Sequence, residues 1–96
     1  MEKLIGLQVI SPEKELFKGK VSKVTLPGSA GRFTVLYNHA PLISSLSKGV
    51  ILFTENPHGT PNESIEHIIS IKRGFAEIEH NQMTICIETE ESENKK

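Results

Sequence analysis

Aspartate and tryptophan are absent from this 96-residue chain, and cysteine and tyrosine occur once each. Each shortage removes a class of chemistry. All twelve acids are glutamates, so an Asp-containing catalytic triad, an EF-hand calcium loop and the aspartate that holds magnesium beside a P-loop have nothing to build on. With Tyr37 the one tyrosine and no tryptophan, a stacking platform for single-stranded nucleic acid is not expected. The lone Cys86 has no partner for an internal disulfide, in keeping with a reducing compartment. Eleven Lys and Arg against twelve Glu give a net charge of −1, which offers no long-range attraction to nucleic acid or anionic lipid. No apolar run approaches the roughly 20 residues of a membrane-spanning helix. The opening Met1-Glu2-Lys3-Leu4 resembles neither a signal peptide nor an Arg- and Ser-rich transit sequence, so a cytosolic location is expected.

What is present is β pattern. The length predicts one domain, or one domain with a tail, and 36% hydrophobic with 24% charged residues fits a globular chain. Between Leu4 and Ile10, Ile5, Leu7 and Val9 share one face. Ser22, Val24 and Leu26 alternate with Val21, Lys23 and Thr25. Ile65, His67, Ile69 and Ile71 alternate with Glu66, Ile68, Ser70 and Lys72, and Met83, Ile85 and Ile87 with Thr84, Cys86 and Glu88. A period of two marks half-buried strands.

Breaks at Ser11-Pro12, Lys18-Gly19, Pro27 to Gly31, Lys48-Gly49, Arg73-Gly74 and Asn81-Gln82 recur about every ten residues, as in all-β sandwiches and barrels. Asn56–Ser64, with Pro57, Gly59 and Pro61, reads as a longer exposed hairpin loop. Leu42, Ile43 and Leu46 fit one helical turn, but no amphipathic pattern continues past Gly49, so extended structure is expected there. The last eight residues, from Thr89, contain nothing apolar and are expected to form a solvated tail on a domain spanning residues 1–88.

Few motifs carry chemistry. Lys18-Gly19-Lys20-Val21-Ser22 is no P-loop: that motif needs glycine where Lys14 stands and a hydroxyl where Val21 stands. His39, His58, His67 and His80 lack zinc-ligand spacing, and Cys86 has no second cysteine, so no metal is expected. His67 and His80 are placed on strands, where pairing with Glu66, Glu77 or Glu79 accounts for them. Cys86, mid-strand without a glycine-rich turn, reads as a half-buried structural thiol. No nucleophile, base and oxyanion site come together, so neither a catalytic residue nor a cofactor is expected. The remaining candidate is Gly31 to Leu42, a strand leaving a glycine turn and ending in a second turn at Asn38–Pro41, which presents His39 at one end of the domain.

That stretch and its surroundings resemble the epsilon subunit of bacterial F-type ATP synthases. The resemblance runs in order through Leu7-Gln8-Val9-Ile10-Ser11-Pro12, Phe17-Lys18-Gly19-Lys20-Val21 and Gly28-Ser29-Ala30-Gly31. It continues through His39-Ala40-Pro41-Leu42 with Gly49 beyond, Ile71 to Ile78, and Met83-Thr84-Ile85. It covers residues 4 to 88 and implies a flattened all-β sandwich or barrel of about ten short strands in two sheets. The implied role is that of a non-catalytic rotor subunit in the central stalk of a proton- or sodium-translocating synthase, joining the gamma subunit to the c-ring. The implied location is peripheral, on the cytoplasmic face of the inner membrane. Carried over by position, Ser11, His39 and Ser44 face gamma, and Gly31, Arg32 and Phe33 face the c-ring. A turn histidine bonding locally is the alternative for His39.

The departures matter as well. Arg32 stands where the family commonly has Glu, Tyr37-Asn38 where it has Pro-Gly, and Arg73-Gly74 where it often has two glycines. The family usually continues into a C-terminal helical hairpin that can inhibit hydrolysis and in some members binds ATP. Eight polar residues make no such hairpin, so neither helix extension nor nucleotide binding is expected, and no small-molecule substrate. The competing readings are a generic β-sandwich interaction module that binds through loops such as Asn56–Ser64 and, more distantly, a hydrolase using a serine, His39 or Cys86.

Overall fold

The computed structural model describes residues 3–60 and 62–89, and every regular element in them is a strand. In chain order these are β1 (Ile5–Ile10), β2 (Glu15–Gly28), β3 (Gly31–Leu36), β4 (Leu42–Leu46), β5 (Gly49–Glu55), β6 (Ile65–Glu79) and β7 (Gln82–Thr89). The all-β expectation holds. The strand count is seven rather than about ten, because β2 and β6 run on for 14 and 15 residues.

Both long strands pass through positions that read as breaks in the sequence. Gly19 lies inside β2 and Gly74 inside β6. Neither makes a turn. A Cβ on Gly74 would land on the Cys86 carbonyl oxygen and 3.1 Å from Ile87 Cα, so glycine here permits two strands to approach closely. The ladder between β2 and β5 shifts register between Val21 and Lys23, and that between β6 and β7 between Ile71 and Arg73. An extra residue in one strand bends it and resets which side chains face inward. Val21 and Val24 are therefore both buried, against the strict alternation expected around Ser22.

The bends let each long strand serve two layers. In one layer the first half of β2 pairs with β1, β1 lies parallel to β7, and β7 and β4 flank the second half of β6. In the other, β3 pairs with the second half of β2, which pairs with β5, which pairs with the first half of β6. Gly28 at the end of β2 meets Leu46 at the end of β4 and closes the gap between them. Ile5, Leu7, Val9, Met83, Ile85 and Ile78 from the first layer are buried with Val24, Leu26, Val35, Ile51 and Phe53 from the second. Burial of this apolar surface is the main stabilising term, at roughly 25 cal/mol per Å².

The turns follow residue chemistry. His80 and Asn81 have φ of 53° and 60°, the pair of positive values that a two-residue hairpin turn needs. His80 is thus in a turn rather than on a strand, 3.9 Å from Glu79. Leu42–Leu46 is extended, as expected. Thr89, placed with the tail on sequence, ends β7 opposite Ile71, while residues 90–96 lie outside the described residues.

Candidate partner-docking surface

The outward face of the β1–β7–β6–β4 layer has an unusual side-chain order. Register aligns Ile10, Cys86, Phe75 and Ser45 as one rung across the four strands. The next rung is Gln8, Thr84, Glu77 and Ile43, with Lys18 of β2 beside Gln8. A solvated sheet face is expected to be polar. Here Phe75 is 50% exposed and Ile43 74% exposed. A groove of about 580 Å³ opens on this face, lined by Ile10, Ser11, Pro12, Ser45, Phe75 and Cys86 among others. Arg73 and Glu88, ion-paired to each other, line it as well.

Cys86 is half-buried in this lining. Among the described residues, no group of three or more His, Cys, Asp or Glu is arranged to hold a metal ion. Nor is any helix there long and apolar enough to cross a membrane. The surface offers shape, apolar area and a few hydrogen-bonding groups, which equip it to hold another macromolecule.

The residues singled out on sequence occupy three places. Ser11 borders the groove, but its hydroxyl is used within its own turn: Oγ accepts the Lys14 N–H at 3.3 Å, and the Ser11 N–H donates to the Lys14 carbonyl at 2.9 Å. Ser44 lies opposite buried Ala76, so its side chain turns inward, while its neighbours Ile43 and Ser45 point out. Its Oγ donates to the Ser45 carbonyl at 3.0 Å.

His39 stands at the far end of β4 from the groove, beyond Leu42. Its N–H donates to the Leu36 carbonyl at 3.1 Å, and Nδ1 lies 2.7 Å from the Ala40 carbonyl. Beside it, the Asn38 N–H donates to Asn81 Oδ1 at 2.6 Å, and Asn81 Nδ2 donates to Asn38 Oδ1 at 3.0 Å. This links the His39 turn to the β6–β7 turn.

Gly31, Arg32 and Phe33 open β3, directly after the Ser29-Ala30 turn that joins it to β2. Gly31 has φ of 134°, in the range that favours glycine. Arg32 is exposed. The Phe33 ring lies over Gly28, where a Cβ would come within 2.8 Å of it, so this glycine makes room for the aromatic. The hairpin is tied to β4 by Ser45 Oγ donating to Ser29 Oγ at 2.9 Å and by Ser29 N–H donating to the Ser45 carbonyl at 3.0 Å.

The family described as ATP synthase, Delta/Epsilon chain, beta-sandwich domain matches residues 4–93. The chain belongs to that family. Its similarity to the ATP synthase epsilon chain of Leptospira borgpetersenii is 40% identity over 81 residues, covering 84% of this chain and 58% of the relative. With the epsilon chain of Desulfitobacterium hafniense strain Y51 it is 40% over 89 residues, covering 93% and 62%. The chain therefore spans about three fifths of the length of these curated epsilon-chain relatives. Its fold is similar to a chain in the mitochondrial ATP synthase of Euglena gracilis, solved as OSCP, F1 and c-ring. The TM-score is 0.74 at 20% identity, covering 91% of this chain and 52% of that one. A chain in the central stalk and c-ring structure of Tetrahymena thermophila matches at TM-score 0.69 and 15% identity, covering 88% and 63%.

Sequence reasoning missed three contributors to this epsilon-family surface. Phe75 and Ile43 are apolar residues at outward positions, a signal available once the strand phase is known. The Asn38–Asn81 pairing joins residues 43 apart and leaves no trace in local pattern.

Proposed function

We propose that this epsilon-family sandwich is a non-catalytic rotor subunit in the central stalk of a bacterial F-type ATP synthase, joining the gamma subunit to the c-ring and so helping to couple ion flow to ATP synthesis. The sandwich lies at the cytoplasmic face of the inner membrane, peripheral to it. The reading is carried by one observation: an epsilon-family domain exposes Phe75 and Ile43 beside an apolar groove on a face where its own chain, among the described residues, provides no cover. In the assembled stalk that face packs against gamma. Ser11 and Ser45 border the contact, Ser44 supports it from within, and His39 extends it to the far end of β4.

The start of β3, with Gly31 and Arg32 exposed and Phe33 half-buried behind them, is the contact to the c-ring. Arg32 there calls for an acidic group on the facing loop, since like charges across an interface are repulsive. The role needs no reactive group. Close-packed interiors deform little under load, and a close-packed sandwich is suited to pass torque.

The test is pull-down of purified gamma subunit from the same organism, together with sedimentation with membranes that carry the synthase. Retention in both assays is expected. Failure to bind gamma or those membranes, with the domain folded, would overturn the reading.

A further inference from the structure

We infer that Asn81, on the turn between β6 and β7, is a positioning residue for the His39 corner, and that it holds His39 so that Nε2 accepts a hydrogen bond from a donor on the gamma subunit. The inference rests on the reading of His39 as a gamma contact given above.

The first argument is the double bond between turns. Asn38 and Asn81 both have left-handed backbone, with φ of 67° and 60°. Asparagine is among the few residues other than glycine that adopt this conformation readily. Two left-handed residues thus face each other, and their amides close a ring: Asn38 N–H to Asn81 Oδ1 at 2.6 Å, and Asn81 Nδ2 to Asn38 Oδ1 at 3.0 Å. Asn38 directly precedes His39, whose own N–H is held by the Leu36 carbonyl at 3.1 Å. The backbone entering His39 is therefore fixed from β3 on one side and from the β6–β7 turn on the other.

The second argument concerns the ring. A carbonyl oxygen can only accept, so Nδ1 at 2.7 Å from the Ala40 carbonyl carries the hydrogen. In the neutral imidazole, Nε2 is then an acceptor. Half-buried, His39 presents that lone pair at the corner. The complementary group is an N–H or O–H donor such as a lysine, arginine, serine or backbone amide. A carboxylate or a bare carbonyl does not fit. Without Asn81 the backbone turn loses one of its two anchors, and Nε2 loses its fixed direction.

The test uses the full chain and purified gamma subunit, with binding measured by titration calorimetry. It compares wild type, Asn81→Gly and Asn81→Asp, and adds a long-range nitrogen–proton spectrum of the His39 ring. Glycine keeps the left-handed backbone and removes the amide. Aspartate keeps an oxygen that accepts the Asn38 N–H. Asn81→Gly is expected to weaken binding about tenfold, the order of one lost hydrogen bond with its orientation. Asn81→Asp is expected to recover most of that loss. The ring signals should show Nδ1–H in wild type and Asn81→Asp and should shift in Asn81→Gly. Unchanged binding and ring signals in Asn81→Gly would overturn the inference. So would an Nε2–H tautomer in wild type, or an Asn81→Asp no better than Asn81→Gly. If wild type itself ignores gamma, the function reading fails, and the ring spectra alone then decide whether Asn81 orients His39.

Discussion

Phe53 and His67 stack across the β5–β6 ladder with ring centroids 4.7 Å apart and planes 10° from parallel. Phe17 tilts against both, and His67 Nε2 lies 2.8 Å from Glu55 Oε1. A half-buried histidine thus finishes the core where β2, β5 and β6 meet. His67→Ala loses the stack and one hydrogen bond, and is expected to cost about 1–2 kcal/mol. His67→Phe keeps the stack and should cost less than His67→Ala. Urea unfolding checks the order; equal midpoints for wild type and His67→Ala would exclude it.

Gly74→Ala is expected to be the most damaging of the glycine-to-alanine changes inside strands. Its Cβ meets backbone of β7, which cannot step aside. A loss of about 3 kcal/mol is expected, in the range of overpacking. Gly6→Ala meets only the side-chain amide of Gln82, at 2.9 Å, which can swing away. It should stay within about 1 kcal/mol of wild type. Denaturation midpoints of the two variants settle the ranking.

Phe75→Ser and Ile43→Ser separate binding from folding. Both side chains are at least half exposed, so stability should change by less than about 0.5 kcal/mol. If they anchor gamma, affinity should fall at least about tenfold for Phe75→Ser, as for an aromatic interface anchor. Retained affinity in the double variant would move the contact elsewhere.

Arg73 and Glu88 pair across β6 and β7 with both side chains about half exposed. Such pairs contribute roughly 0–1 kcal/mol. Arg73→Ala should therefore leave the unfolding midpoint nearly unchanged at physiological salt. A large drop would mean that its stem also covers the groove.

Much of this fold is legible in the residues, and the exceptions have causes. Met83, Ile85 and Ile87 announce an inward face, and Pro57, Gly59 and Pro61 mark the loop before Ile65. Gly19 and Gly74 mislead because glycine serves equally in a turn and inside a strand where a neighbour comes close, the Phe17 ring at Gly19 and the β7 backbone at Gly74. Only the partner strand, which sets Ile87 opposite Gly74 and the Cys86 carbonyl against it, tells the two apart. Val21 and Val24 defeat the alternation because a bulge is a property of two strands together. The site was less accessible. The exposed Arg32 hairpin and the His39 turn are marked by glycine and proline. The inward turn of Ser44 and the outward turn of Phe75 depend on register, which nothing local specifies.

Because β2 and β6 each continue from one layer into the other, the two halves of the sandwich are not separate plates held by side-chain contact alone. A sideways push on either half is carried into its neighbour through unbroken peptide linkages at two places. Sliding one half over the other would require these covalent ribbons to straighten or stretch. The domain therefore resists shear in the manner of a stitched fabric.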